Sequence, residues 1–440
     1  MNKQPIGRDK MTSTLVLKSQ TIIFAFTILL ILGITSNCKA LDVTAKSCSQ
    51  ADVQSAASTV QNAGGGTVYI PAGNCTWDAT VSVKGNVSFI GAGRDKTKLM
   101  LGSKNQFFDH QTINQFARYS GIGFYAPDGR SQGTAIAVYL REVENFRIDN
   151  CYFEGCWHGV ISMKRVRKGL IDNNTFKRTN DYSSDYGIHW GQETTSLPEL
   201  CEGKTGVAYT QCEGNWDIWW DDKSLHGGNY FEENWTPGTD NAIFVENNVF
   251  DWKGSAVESN WGTIQALVVR HNSFTNRDGN NGGFKPGVIF YEVYNNTFTN
   301  TLSPLPNNAA LYLRGPGLVH NNTFTGYSTG GSLYVFREAY GYHYTDQVIM
   351  HDTYIWGNKF VNCKYSDDAR QSWPIDSQGD NYLIELNRNY FFRAPQPGDR
   401  IYPYTPYTYP HPLSSGGPPP PPPPEEKPMP PKDFSIGIQK

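Results

Sequence analysis

The chain lacks a surplus of positive charge: 38 Lys and Arg stand against 41 Asp and Glu in 440 residues. Leaving out the first 40 residues removes five Lys/Arg and one Asp, so 33 basic and 40 acidic side chains remain. A negative balance argues against a nucleic-acid partner, which needs a positive surface. The longest apolar run, Thr21 to Ile34, is short for a membrane crossing, and no stable span is expected. The eight cysteines contain no Cys-x-x-Cys pair, so nothing supports a zinc site. The glycine runs at 64–66 and 282–283 read as turns rather than phosphate loops. No Gly-x-Ser-x-Gly elbow occurs.

What is present begins with a leader. Lys3, Arg8, Lys10 and Lys18 precede the apolar run, and small and polar residues continue to Ala40. Residues 1–40 read as a signal peptide cleaved after Cys38-Lys39-Ala40, which makes the protein secreted, periplasmic or cell-surface. A lipidated Cys38 is the weaker reading, because Asn37 suits that processing poorly. Export permits disulfides. Cys48 with Cys75 and Cys201 with Cys212 flank local loops and are the expected pairs. Cys151 and Cys156 are near enough for a third, although Cys151 also fits a repeat position described next.

Between residues 148 and 391 one hexapeptide recurs eight times, as an aliphatic residue, any residue, two mostly Asn positions, any residue and Phe. The copies are IDNCYF (148–153), IDNNTF (171–176), VENNVF (245–250), VRHNSF (269–274), VYNNTF (293–298), VHNNTF (319–324), IWGNKF (355–360) and LNRNYF (386–391). Most steps are in the twenties, a period that with short strands marks a β-solenoid. Stacked coils set Asn over Asn, so amides bond along the stack, and Phe over Phe inside the coil. Asn also tolerates the left-handed backbone of a sharp corner. The Asn-x-Thr sequons at Asn173, Asn295 and Asn321 fall in this pattern and read as ladder positions.

Residues 48–63 form an amphipathic helix with Ser49 as its N-cap, placed to cover the open end of the first coil. GGGTVYIPAGNCTW and VSFIGAGRDKTKL follow. This succession resembles the entry to the pectin-lyase-like right-handed parallel β-helix superfamily, and YTPYTYPHPL (404–413) resembles the end of exported bacterial β-helix proteins of unassigned activity. The resemblance spans roughly residues 43–413 and implies an all-β, single-stranded right-handed parallel β-helix with an N-terminal capping helix. It is weak for chemistry, because that superfamily includes lyases, hydrolases, epimerases, tailspikes and adhesins. The expected division is 1–40 leader, 41–413 β-helix and 414–440 Pro-rich tail. The 74-residue step holds a Trp-rich excursion, 181–240, in which one or two coils could hide.

The strands before each Asn corner align by alternation: AVYLR (137–141), VISMK (160–164), GIHW (187–190), AVESN (256–260), ALYLR (310–314) and SLYVF (332–336). With period two, Tyr139, Ser162, His189, Glu258, Tyr312 and Tyr334 form one outward column. Two residues on lie Arg141, Lys164, Asn260 and Arg314, with Arg337 one step displaced. Aromatic faces stack on sugar rings and Arg forks bind carboxylates, so this wall, with Trp219 and Trp220 beside it, suits an acidic polysaccharide. An outward charge on a solenoid is also the ordinary solvated face.

A lyase needs a base for the C5 proton and a positive group or amide for the uronate carboxylate. Lys164, His189 and Arg314 are the candidate bases, with Glu258 beside them. Asp221 and Asp222 form a carboxylate pair fit for hydrolysis or for calcium. Pectin-degrading hydrolases of the resembled fold carry an Asp pair and a Gly-His-Gly; here His226 follows Asp222 too closely and no Arg-x-Lys follows. No calcium-site Asp array like that of pectate lyases is evident, so the metal stays open with calcium as the candidate. The expectation is a monomeric polysaccharide lyase, against a non-catalytic glycan-binding or adhesin-like surface protein and a hydrolase using Asp221 or Asp222.

Overall fold

The computed structural model describes residues 40–103, 105–126, 135–155, 159–166, 168–178, 186–190, 237–252, 255–259, 263–276, 284–285, 288–301, 310–313, 316–327, 333–335, 352–363 and 386–415. Its strands lie in three parallel sheets of twelve, nine and ten strands, here sheets A, C and B, and the chain winds C to A to B in each coil. The fold is a right-handed parallel β-helix.

The repeat builds this winding directly. The second hexapeptide residue ends a strand of sheet A, the third turns the corner and Phe enters sheet B. Asn150, Asn173, Asn247, His271, Asn295 and Asn321 hold the corner at φ 52–57°, the left-handed region that Asn tolerates. The next position is the ladder. The backbone N–H of Asn248 donates to Asn272 Oδ1 at 2.9 Å and its Nδ2 to the same oxygen at 3.1 Å. The pattern repeats from Asn272 to Asn296, Asn322 and Asn358. The two Asn positions therefore divide the work, and the sequon residues Asn173, Asn295 and Asn321 sit at the corner rather than in the ladder. Cys151 occupies a ladder position as a free, buried thiol, so no Cys151–Cys156 bridge forms.

Phe124, Phe153, Phe176, Phe250, Phe274, Phe298, Phe324 and Phe360 make one stack inside the coil, with ring centroids 4.6–5.2 Å apart and planes within 16°. Phe176 stacks directly on Phe250, and their strands pair. The 74-residue step therefore adds no coil. Its residues 191–236 lie outside the described ones, as do residues 1–39 and the Pro-rich run. The eighth hexapeptide departs from the repeat. Phe391 stacks on Tyr354 in sheet A, and Tyr390 is the register partner of Thr353. That match kept the composition of the motif without its place in the coil.

The helix Gln50–Asn62 starts at Ser49, whose Oγ accepts from the Asp52 N–H, and it buries Val53, Ala56, Ala57 and Val60 against the first coil. The strand Leu41–Thr44, not foreseen, pairs with Gly66–Ile70 and finishes the edge of sheet A. Cys48 and Cys75 form a disulfide with Cα atoms 5.8 Å apart; Cys201 and Cys212 lie outside the described residues. Among the described residues no helix is long and apolar enough to cross a membrane.

Residues 401–413 run as a strap over the outer face of sheet A. Ile401 packs with Phe290, Leu318 and Tyr354, and Leu413 with Leu170, Phe244 and Val268. Beneath lies a buried ionic seam. Arg147 donates to both Asp172 carboxylate oxygens at 2.9 Å and to the Leu413 carbonyl at 2.8 Å. Arg270 donates to Glu246 at 2.7 Å and to the carbonyls of Tyr407 and Thr408 at 2.7 and 2.8 Å. Glu292 accepts from the Tyr404 hydroxyl and from the Gly238 N–H.

Burial sets the acid limit of this fold. It pushes His110, His320 and His411 down to about 4, so each stays neutral inside the protein. The unfolded chain takes up those protons near pH 6.5. Stability is therefore complete above that pH and falls as pH drops from about 6.5 toward 4. Burial raises the Glu292 and Asp172 carboxyls, which offsets part of the loss. The melting temperature should decline steadily from pH 7 to 4.5; a flat or rising profile would contradict the burial of these imidazoles.

Candidate functional site

Sheet C carries the outward column, and its register is explicit. Ser82, Asp109, Tyr139, Ser162, His189, Glu258 and Lys285 are successive Cα partners. Phe284 pairs with Leu311, and Tyr312 with Tyr334, so the line continues in phase. The intervening residues Val138, Leu140, Ile161, Met163, Ile188 and Val257 belong to the core. Parity then puts the column on the outer side of the wall. A second column runs Lys84, Gln111, Arg141, Lys164.

The middle of the column is not a solvated strip. Ser162, His189 and Glu258 are only 7, 9 and 4 % exposed. The His189 ring stacks on Tyr186 with centroids 4.7 Å apart and planes at 14°. Gly159 makes room for it, since a Cβ there would stand 2.9 Å from the His189 Cβ. His189 and Glu258 are direct register partners, so an imidazole and a carboxyl share one desolvated patch.

Arg141 differs from its expected role. Its Nε and Nη2 donate to the two Asp109 carboxylate oxygens at 3.0 and 2.5 Å, and its guanidinium lies 5.2 Å from the Tyr139 ring centroid. The fork expected for a sugar carboxylate is thus engaged by Asp109, and it props the Tyr139 ring. Lys164, Tyr312 and Tyr334 hold their places in the backbone register. Asn260, Arg314, Arg337, Asp221, Asp222, Trp219 and Trp220 lie outside the described residues. Lys285 and Asp109 joined the column unforeseen. Lys285 sits in a two-residue strand within a Gly-rich run, which offers no alternation to read. The Asp109 strand precedes the first hexapeptide, so no repeat aligned it.

Among the described residues no group of three or more His, Cys, Asp or Glu is placed to hold a metal. Calcium remains an expectation attached to Asp221 and Asp222.

No family model matches the chain, and no curated protein matches it. Among solved structures it is similar to the Azotobacter vinelandii mannuronan C-5 epimerase AlgE4 A-module, at 12% identity, covering 79% of this chain and 96% of that one, with a TM-score of 0.28. At that identity and score no residue role passes between the two.

Proposed function

We propose that this protein is an exported carbohydrate-active β-helix protein whose sheet C face binds an acidic polysaccharide and cleaves it by β-elimination. The observation that carries the reading is the pairing of His189 with Glu258 on adjacent coils, both in outward phase and both withdrawn from water. In this reading neutral His189 accepts the C5 proton, the C4–O bond breaks, and the departing oxygen takes a proton from an acid on the same face. The cations at Lys164 and Lys285 stand one register column apart or in line with the pair. They suit the role of drawing charge from the uronate carboxylate. Tyr139 toward one end of the column and the register partners Tyr312 and Tyr334 toward the other, with Ser162, His189, Glu258 and Lys285 between them, suit separate stretches of one polymer. A metal such as calcium would add to the same neutralisation.

His189→Ala and Glu258→Gln should each lower the rate of unsaturated-product formation about 100-fold or more, with unchanged circular dichroism. Full activity in both variants would remove the pair from the mechanism. Saturated reducing ends that disappear in Asp221→Asn or Asp222→Asn would favour the hydrolase. Retention of glycan without cleavage, reduced by Tyr312→Ala, would favour a binding module.

A further inference from the structure

The outer face of sheet B has no part in that chemistry, and it changes character along its length. Over three coils it presents only hydroxyls: Ser273 and Thr275, Thr297 and Thr299, Thr323 and Thr325. Nearer the helix it becomes aromatic. Met100 pairs with Tyr125, and Tyr125 with Glu154 on the coil that also carries Tyr152. Their neighbours Leu99, Phe124 and Phe153 are core residues, so this set faces out.

Both phenol rings lie along their strands rather than standing off them. A Cβ on Gly123 would come 2.9 Å from Tyr125 Cε2 and 3.4 Å from its hydroxyl oxygen. The ring therefore leans back over the glycine, where any side chain would lift it. Tyr152 leans the other way and hydrogen-bonds the Glu154 carboxylate through its hydroxyl. The two ring centroids are 5.5 Å apart with planes at 45°. Met100 extends the patch and is 37% exposed. Polar groups rim it: Lys98 and Glu154 lie in the flanking register, and Arg94 is held by Nη1 donating to Thr175 Oγ1 at 3.2 Å.

We propose that Met100, Tyr125 and Tyr152 form a second glycan-binding site, a shelf on sheet B separate from the sheet C face. With strands about 4.8 Å apart the shelf runs about 10 Å along the axis. That is small for a stable protein partner, which buries about 800 Å² per side. A sugar fits better, because its C–H face rests on flat rings while its hydroxyls reach a polar rim. The shelf anchors a polymer without touching the reacting bond, so it stands whether or not sheet C is catalytic.

The test is retention of the full chain in gels containing polygalacturonate or, separately, a neutral β-glucan. Tyr125→Ala/Tyr152→Ala should weaken retention about fivefold or more on at least one polymer. Tyr152→Phe keeps the ring without the Glu154 contact and should bind as wild type. The same double variant should leave any unsaturated-product formation from short uronate oligomers at the wild-type rate, which separates the two faces. Wild-type retention by a stably folded double variant would overturn the shelf. So would a Tyr152→Phe defect as deep as that of Tyr152→Ala, or the absence of wild-type retention on both polymers.

Discussion

Phe298→Ala is expected to destabilise the protein by about 3–5 kcal/mol, near the upper range for truncating a buried aromatic. Phe298 is fully buried, 4.7 Å from the Phe274 ring and 5.0 Å from Phe324. Alanine removes its apolar contact and also interrupts the stack on both sides. The coil cannot close the gap readily, because the strands on either side are fixed in register at Phe274 and Phe324. Urea unfolding followed by fluorescence measures the change. A cost below about 1 kcal/mol would mean that the column is not packed as described.

Arg270→Ala should cost a similar amount, about 3–5 kcal/mol, by a different route. Arg270 and Glu246 are both fully buried side chains in contact at 2.7 Å. Removing the guanidinium leaves the Glu246 charge without its cation and the Tyr407 and Thr408 carbonyls without their donor. Glu246 would retain the His411 N–H at 2.9 Å, which is too little to compensate for a buried carboxylate. Arg270→Lys should recover only part of the loss, because an ammonium cannot serve these separated acceptors with the geometry of a planar fork. Hydrogen exchange should locate the damage first in residues 401–413. Equal exchange in the variant and the parent, with unchanged stability, would show that the strap does not depend on this arginine.

The sequence exposed the interior of this protein better than its exterior, for a physical reason. Interior columns repeat because each coil must present the same shape to the next. Asn at the ladder and Phe in the stack are therefore written many times, and the corner Asn is written beside them. The exterior has no such demand. Arg141 and Asp109 pair across coils from strands that share no motif. Arg270 finds the strap 137 residues away, a contact that local pattern cannot reveal. The alternation of sheet C did fix the phase of His189 and Glu258, but phase does not determine burial, and these two are covered. The eighth hexapeptide shows the opposite error. LNRNYF has the right letters, but its left-handed residue, Asn387 at φ 64°, is the second of the six rather than the third. Phe391 lies on sheet A, because the coil register rather than the motif decides where a residue points.

The measurement that bears most directly on the proposed activity is the ultraviolet absorbance of conjugated uronates while the wild-type protein is incubated with a panel of uronate polymers. β-Elimination leaves a double bond conjugated to the carboxylate, so absorbance should rise steadily with at least one polymer and stop rising in His189→Ala. No rise with any polymer, alongside new saturated reducing ends or no new ends at all, would contradict the account.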